Sequence, residues 1–301
     1  MLRFDRLATL YLVAPLLRTI PSSPNPRIPI LMYHSIRDEK ETGHPYYRLN
    51  TSRTCFAQQM HFLHDSGYEV INLAQARRLL FETPAGQTRN DAGRSSQQPH
   101  PAGFVVLTFD DGYEDFYDGA FPILRQFGFT ATVFLPTGFI GSDNKRLQRG
   151  PHLGWKQVRE LRGQGIEFGS HTVNHHQLLK LRKEAIADEL RISKEVIQEV
   201  LGEPVESFSY PFAFPESNTE FKNTLAAMLE GCAYRTGVTT VIGRASAQDP
   251  PLFLKRLPVN SSDDLPLFRA KLEGRYDWLH TIQYASKLIQ ERLRSEGVEK
   301  T

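Results

Sequence analysis

The 301-residue chain is 40% hydrophobic and 23% charged, an ordinary composition for a folded protein with room for one large α/β domain or two small ones. Its 36 basic residues nearly balance 34 acidic ones, for a formal charge of +2, which gives no support for a nucleic-acid partner. Nineteen Phe and eleven Tyr serve either core packing or sugar stacking in an open cleft, and composition does not separate the two.

At the N-terminus, Arg3 and Arg6 precede an apolar run over residues 7–17 that Arg18 ends. That run falls short of the ~20 residues needed to span a bilayer, and no small-x-small cleavage site follows it. Residues 1–20 are expected to form a docking or membrane-surface helix with peripheral membrane contact. The compartment stays open between cytoplasm and cell envelope. Residues 21–27, PSSPNPR, read as a Pro-rich linker. Residues 28–33, IPILMY, read as a short buried strand ending at His34. Phe56, Met60 and Leu63 mark an amphipathic helix stopped by Gly67. Residues 83–103 are rich in Gly, Pro, Ser, Gln and Asn and are expected to be a surface loop or disordered insertion.

From residue 104 strands and helices alternate. Strands are expected at 104–109, 129–135, 166–170 and 207–210. Helices are marked by Ala120, Ile123, Leu124 and Phe127, by Trp155, Val158 and Leu161, and by Ile186, Leu190, Ile197 and Leu201. Strands separated by helices imply right-handed βαβ units and a parallel sheet. Repeated this often, they suggest a closed or nearly closed β/α barrel over residues 28–275, between an N-terminal segment (1–27) and a tail (276–301). Residues 276–296 look helical and carry no visible chemistry. Cys55 and Cys232 make neither a disulfide framework nor a paired-cysteine metal motif, and read as separate thiols or one long-range bridge.

Two motifs carry chemistry. Asp110 and Asp111, in TFDDGY, follow a strand directly. Adjacent side chains at a strand end point in different directions, so one carboxylate can bind a cation while the other faces a water. Active sites of β/α barrels collect at these strand ends. His171 and His175, in HTVNH, also follow a strand. Their i, i+4 spacing is expected to set both imidazoles on one face of a helical turn, about 5–6 Å apart at Cβ, where they can share a divalent ion. His176 would point elsewhere. An Asp/His/His set with open positions matches catalytic zinc sites, leaving one carboxylate as general base.

TFDDGY followed by HTVNH resembles the NodB-homology polysaccharide deacetylases, the carbohydrate esterase family that includes chitin and peptidoglycan deacetylases. The resemblance implies a distorted (β/α)7 barrel in a single domain that hydrolyses N-acetyl groups of an aminosugar polymer and releases acetate. By the family's motif Asp110 looks like the base, and Asp111, His171 and His175 look like the ligands of a divalent ion, Zn2+ first, with Co2+ or Ni2+ as substitutes. Ser209-Tyr210-Pro211-Phe212 is similar to the family's aromatic-proline turn, which would give the Phe212 amide an oxyanion role with Tyr210 in support. Ala213 stands where the family usually has Gly, and the usual upstream Arg is missing. Arg256 is the candidate substitute.

The family's late Leu-x-His acid motif is also missing. The segment PILMYH, however, resembles a circularly permuted branch in which the histidine after the first strand is the acid, which points to His34. That branch tends to act on exopolysaccharides and to associate with the cell envelope. Tyr33, Tyr113 and Trp155 are candidates for sugar stacking or, equally in keeping with their type, for core packing. A same-fold amidase for a small non-sugar amide and an inactive carbohydrate-binding module are the rival expectations.

Overall fold

Short apolar runs buried on both faces build the sheet, as parallel strands covered by helices require. A computed structural model of the protein describes residues 3–17, 26–39, 41–83, 102–142, 147 and 150–286. Most of the Pro-rich linker, nearly all of the 83–103 insertion and the chain after residue 286 lie outside the described residues.

Seven strands form the barrel: β1 (Ile30–Tyr33), β2 (Gly103–Phe109), β3 (Thr132–Leu135), β4 (Glu167–Ser170), β5 (Ser207–Ser209), β6 (Thr236–Ile242) and β7 (Leu254–Pro258). All pairings among them are parallel, and six of them join consecutive strands. β7 pairs back to β1 at Leu257↔Leu31 and Pro258↔Met32, which closes the ring. The single-domain (β/α)7 barrel is therefore as expected. β6 must approach the next segment closely: a Cβ on Gly237 would run into the Leu252 carbonyl oxygen.

Local chemistry sets the outer helices. α1 (Arg53–Asp65) starts at Ser52, whose hydroxyl accepts from the Cys55 N–H. α2 (Leu73–Phe81) opens with a reciprocal Asn72/Gln75 capping box. α3 (Phe121–Gln126), α4 (Trp155–Gly163), α5 (Lys183–Leu201), α6 (Thr219–Gly231) and α7 (Leu265–Leu272) follow. Gly202, at φ +69°, ends α5 in the left-handed conformation that favours glycine.

The expected 28–33 strand is split at Pro29, which has no ladder donor. Its first part, Arg27–Ile28, pairs antiparallel with Ala245–Ser246, outside the barrel. Residues 4–17 are helical, with a π stretch at Ala8–Val13. Arg3 donates to Asp263 (2.7 Å), Tyr276 to Asp5 (2.6 Å) and Trp278 Nε1 to the Thr9 hydroxyl (3.0 Å). The polar Thr9 is thus turned inward, while Phe4, Tyr11, Leu12 and Leu16 are exposed. No described helix is long and apolar enough to cross a membrane. Cys55 and Cys232 are free and half-buried.

Ile30, Val106, Phe134, Val238 and Leu254 come from five strands yet share one cluster, so they fill the barrel interior. Leu73, Ala76 and Leu80 of α2 join them. Val106, Thr108 and Asp110 lie at i, i+2 and i+4 along β2 and just past it, and Leu254 and Arg256 at i, i+2 along β7. The inward face of each strand therefore runs from apolar packing directly into polar groups.

Candidate active site

The parallel ladder continues one residue past three strand ends. The Asp110 N–H donates to Tyr33 O, the His171 N–H to Leu135 O, and the Tyr210 N–H to Val238 O, each at 3.0 Å. Asp110, His171 and Tyr210 are thereby delivered to one rim, with His34 just past β1. This is the C-terminal rim, where loops can vary over a rigid scaffold.

Asp110 is buried and meets the wholly buried Arg256 in a fork: Nη1 to Oδ1 at 2.8 Å and Nη2 to Oδ2 at 2.7 Å. The rest of the guanidinium is also engaged, with Nε on Thr239 O (2.9 Å), Nη1 on the Thr108 hydroxyl (3.1 Å) and Nη2 on the Ser209 hydroxyl (3.0 Å). Ser209 in turn donates to Asp110 Oδ1 at 3.2 Å. Burial alone would raise the Asp110 pKa, but the charge and hydrogen bonds of Arg256, joined by the charges of His171 and His34, outweigh it and hold the carboxyl below its ordinary value. The group stays ionised, at some cost in basicity.

Asp111, at φ +70°, turns away from Asp110 toward the histidines. Its Oδ1 is buried and makes no hydrogen bond of good geometry. Yet it lies 3.5 Å from His171 Nε2 and 3.2 Å from His175 Nε2. One ligand atom from each of the three lies within 4.8 Å of the others. His171 Nδ1 is 2.7 Å from Ser209 O. A carbonyl only accepts, so Nδ1 carries the proton and the Nε2 lone pair faces Asp111. A buried oxygen without a donor beside converging imidazoles suits a divalent cation, and the donor set is of the kind zinc takes. Burial would raise the Asp111 pKa, but the imidazoles, when protonated at Nε2 as well, outweigh it and hold it well below the usual carboxylate range.

The histidine pair does not sit on a helical turn, contrary to expectation. Residues 171–177 are a loop, with Thr172 at φ +69° and His175 at φ +53°. The rings still meet, centroids 4.8 Å apart, because the left-handed residues fold the loop back on itself. Of the five described non-glycine residues with positive φ, four (Asp111, Thr172, His175 and Phe212) belong to this site. Such residues cost about 1–3 kcal/mol each and persist where surrounding contacts fix them.

His34 is half-buried, its Nε2 4.0 Å from Asp110 Oδ2, so the two side chains flank one small volume. Burial pulls its pKa down, against the opposing charges of Asp111 and Asp110. Phe212, at φ +61° and 46% exposed, lays its ring 4.7 Å from that of His175. Tyr210 is buried edge-on against Phe214. Tyr33 and Tyr113 are buried too and do not offer sugar-stacking faces: Tyr33 stacks on Phe109 and Tyr113 on His152. Trp155 is half-buried against the core. His176 is set apart, as expected, near Glu189.

Sequence reasoning missed Glu189, Ser193 and His152. Glu189 accepts from the Val173 and Asn174 N–H groups, and His152 Nδ1 is 2.8 Å from Asp111 O. A signal for the first two did exist. Glu189 and Ser193 lie on the buried stripe of α5 with Ile186, Leu190 and Ile197, where polar residues need a partner.

Comparison with known proteins identifies the family. Residues 97–229 match the family model described as polysaccharide deacetylase. The chain is 31% identical over 248 residues to YxkH of Bacillus subtilis (strain 168), a protein named for the same family, covering 82% of this chain and 77% of YxkH. A poly-beta-1,6-N-acetyl-D-glucosamine N-deacetylase of Escherichia coli (strain K12) is 33% identical over 156 residues, which span 48% of this chain but only 20% of that protein. Among solved structures, the Streptococcus pyogenes deacetylase PplD, in complex with acetate, superposes with a TM-score of 0.65 at 27% identity, over 82% of this chain and 99% of PplD. The chain belongs to the polysaccharide deacetylases, and is a hydrolase of carbon–nitrogen bonds other than peptide bonds.

Proposed function

We propose that the protein is a metal-dependent N-deacetylase of an N-acetylglucosamine polymer, an exopolysaccharide or a cell-wall glycan. The observation that carries this reading is the convergence of Asp111, His171 and His175 beside an Asp110 locked to Arg256. The E. coli relative's name, which specifies poly-N-acetylglucosamine, supports the polymer class.

A divalent cation held by Asp111, His171 and His175, Zn2+ first and Co2+ or Ni2+ as substitutes, would supply Lewis acidity, polarising the acetamide carbonyl and acidifying water. Asp110, ionised and fixed by the guanidinium fork, takes the proton of the attacking water. The Phe212 N–H donates to the carbonyl oxygen as charge builds there, a contribution of about 3 kcal/mol. His34 gives a proton to the leaving nitrogen, so the C–N bond breaks to acetate and a free amine. The buried Asp110–Arg256 pair keeps the base oriented throughout.

The test is acetate release from N-acetylglucosamine oligomers, with chelator and then with added Zn2+ or Co2+. Release that depends on cation and grows with oligomer length supports the reading. Turnover of small amides alone would favour an amidase, and no release with any cation would leave a binding module. The solvent exposure of Phe4, Tyr11, Leu12 and Leu16 supports peripheral membrane contact by the N-terminal helix. Co-sedimentation with liposomes should weaken in Leu12→Glu, and equal pelleting would end that idea.

A further inference from the structure

Glu189 lies on the barrel-facing stripe of α5 and is 7% exposed. Its Oε2 accepts from the main-chain N–H groups of Val173 (2.7 Å) and Asn174 (2.9 Å), and its Oε1 from Asn174 Nδ2 (2.8 Å). One carboxylate therefore takes three hydrogen bonds from the two residues that lie directly between His171-Thr172 and His175. One turn further along α5, the Ser193 hydroxyl donates to Glu189 O (2.7 Å) and meets the Ser170 hydroxyl at 2.6 Å. Ser170 Oγ in turn accepts the Thr172 N–H (3.2 Å). Thr172 Oγ1 closes the loop by accepting the His175 N–H at 3.0 Å.

The loop has two non-glycine residues in the left-handed region. Main-chain bonds tie two of its carbonyls to the chain after β3 (Thr137 N–H to Thr172 O, 3.1 Å; Gly138 N–H to Val173 O, 2.9 Å), while the Thr172, Val173, Asn174 and His175 N–H groups rest on these side-chain bonds. A carboxylate binding main-chain N–H groups is a charge-assisted contact, roughly twice as strong as a neutral one. Groups that orient metal ligands from behind can change cation affinity 10–100-fold when mutated.

We infer that Glu189 is a positioning residue that sets the divalent-cation affinity of the site, by fixing the 171–175 loop so that both imidazoles face Asp111. It touches neither cation nor substrate. The inference rests on the reading that Asp111, His171 and His175 hold a cation. Gln at position 189 keeps the volume but can accept at only one oxygen, and its amide N–H2 confronts the donor of Asn174. At least one of the three bonds is then lost.

The experiment is calorimetric titration of chelator-stripped full-length protein with Zn2+, alongside a thermal melt of each stripped variant. Glu189→Gln should bind Zn2+ at least tenfold more weakly than the unaltered chain. Glu189→Gln with Asn174→Asp restores the charge and the donor–acceptor pairing, and should recover most of that loss. A melting temperature that falls while Zn2+ affinity stays within twofold overturns the inference, because Glu189 would then serve stability alone. If the unaltered chain binds no Zn2+, the metal reading itself fails, and this inference with it. Should Glu189→Gln not fold, Asn174→Ala removes only the 2.8 Å bond. A threefold or greater loss of affinity in that variant supports the inference, and none overturns it.

Discussion

Arg256 and Asp110 stand 146 residues apart in sequence and meet through two parallel hydrogen bonds, with the guanidinium wholly buried. Removing one partner leaves a buried charge unpaired. Arg256→Met should cost about 3–5 kcal/mol of stability in a denaturant melt and abolish turnover. Arg256→Lys keeps the charge without the fork, and should lose less stability but most of the activity. Arg256→Met with Asp110→Asn removes both charges, and should recover much of the stability and none of the turnover. Stability that stays equally low in the double variant would assign the loss to packing of Arg256 rather than to the pair.

His34 separates chemistry from binding. His34→Ala should lower acetate release by roughly 10²-fold or more, the usual scale for one general acid, while Zn2+ titration stays as in the unaltered chain. Unchanged turnover would move the acid role to another group.

The motifs were legible because each is local: TFDDGY and HTVNH lie at strand ends that hydrophobic runs announce. Ring closure was less so. β6 reads TGVTTVI and β7 LKRLP, so threonines, a glycine, a lysine and an arginine interrupt the apolar signal. Neither strand carries a continuous apolar run, and Arg256 stands out in the sequence only as a substitute for the arginine missing upstream. Its fork depends on the β7–β1–β2 register, which no local pattern encodes. The i, i+4 histidines suggested a helical turn because a helix satisfies that spacing. A loop with Thr172 and His175 in the left-handed region satisfies it as well, and spacing does not distinguish them. Whether Tyr33 and Tyr113 serve sugar or core stays open in the sequence because side-chain type says nothing about burial.

Cation removal should be visible in stability as well as activity. A ligand that binds only the folded state at ~100 times its Kd stabilises by about 2.7 kcal/mol. Zn2+ added to chelator-stripped protein should therefore raise its melting temperature by several degrees. Asp111→Asn should erase that increment, since it removes the charge of the buried oxygen that faces both imidazoles. Equal increments in Asp111→Asn and the unaltered chain would mean the ion binds elsewhere.

The N-terminal helix should be an acid-sensitive attachment. Burial would raise the Asp5 pKa, but hydrogen bonds from Arg3 and Tyr276 outweigh it and bring the value from 3.8 down to about 2. A carboxyl with a folded pKa below its unfolded one stabilises fully above the unfolded value, and the gain vanishes as pH falls through the folded value. The urea midpoint of the unaltered chain should therefore exceed that of Asp5→Asn by a constant margin above pH 3.8. The margin should shrink as pH drops toward about 2. Trp278, whose indole N–H donates to Thr9, gives a fluorescence signal on the same contact. It should report release of the helix at lower urea in Asp5→Asn. A margin between the two chains that is the same at pH 2 and pH 6 would show that the Arg3–Asp5–Tyr276 contact contributes nothing through ionisation of Asp5.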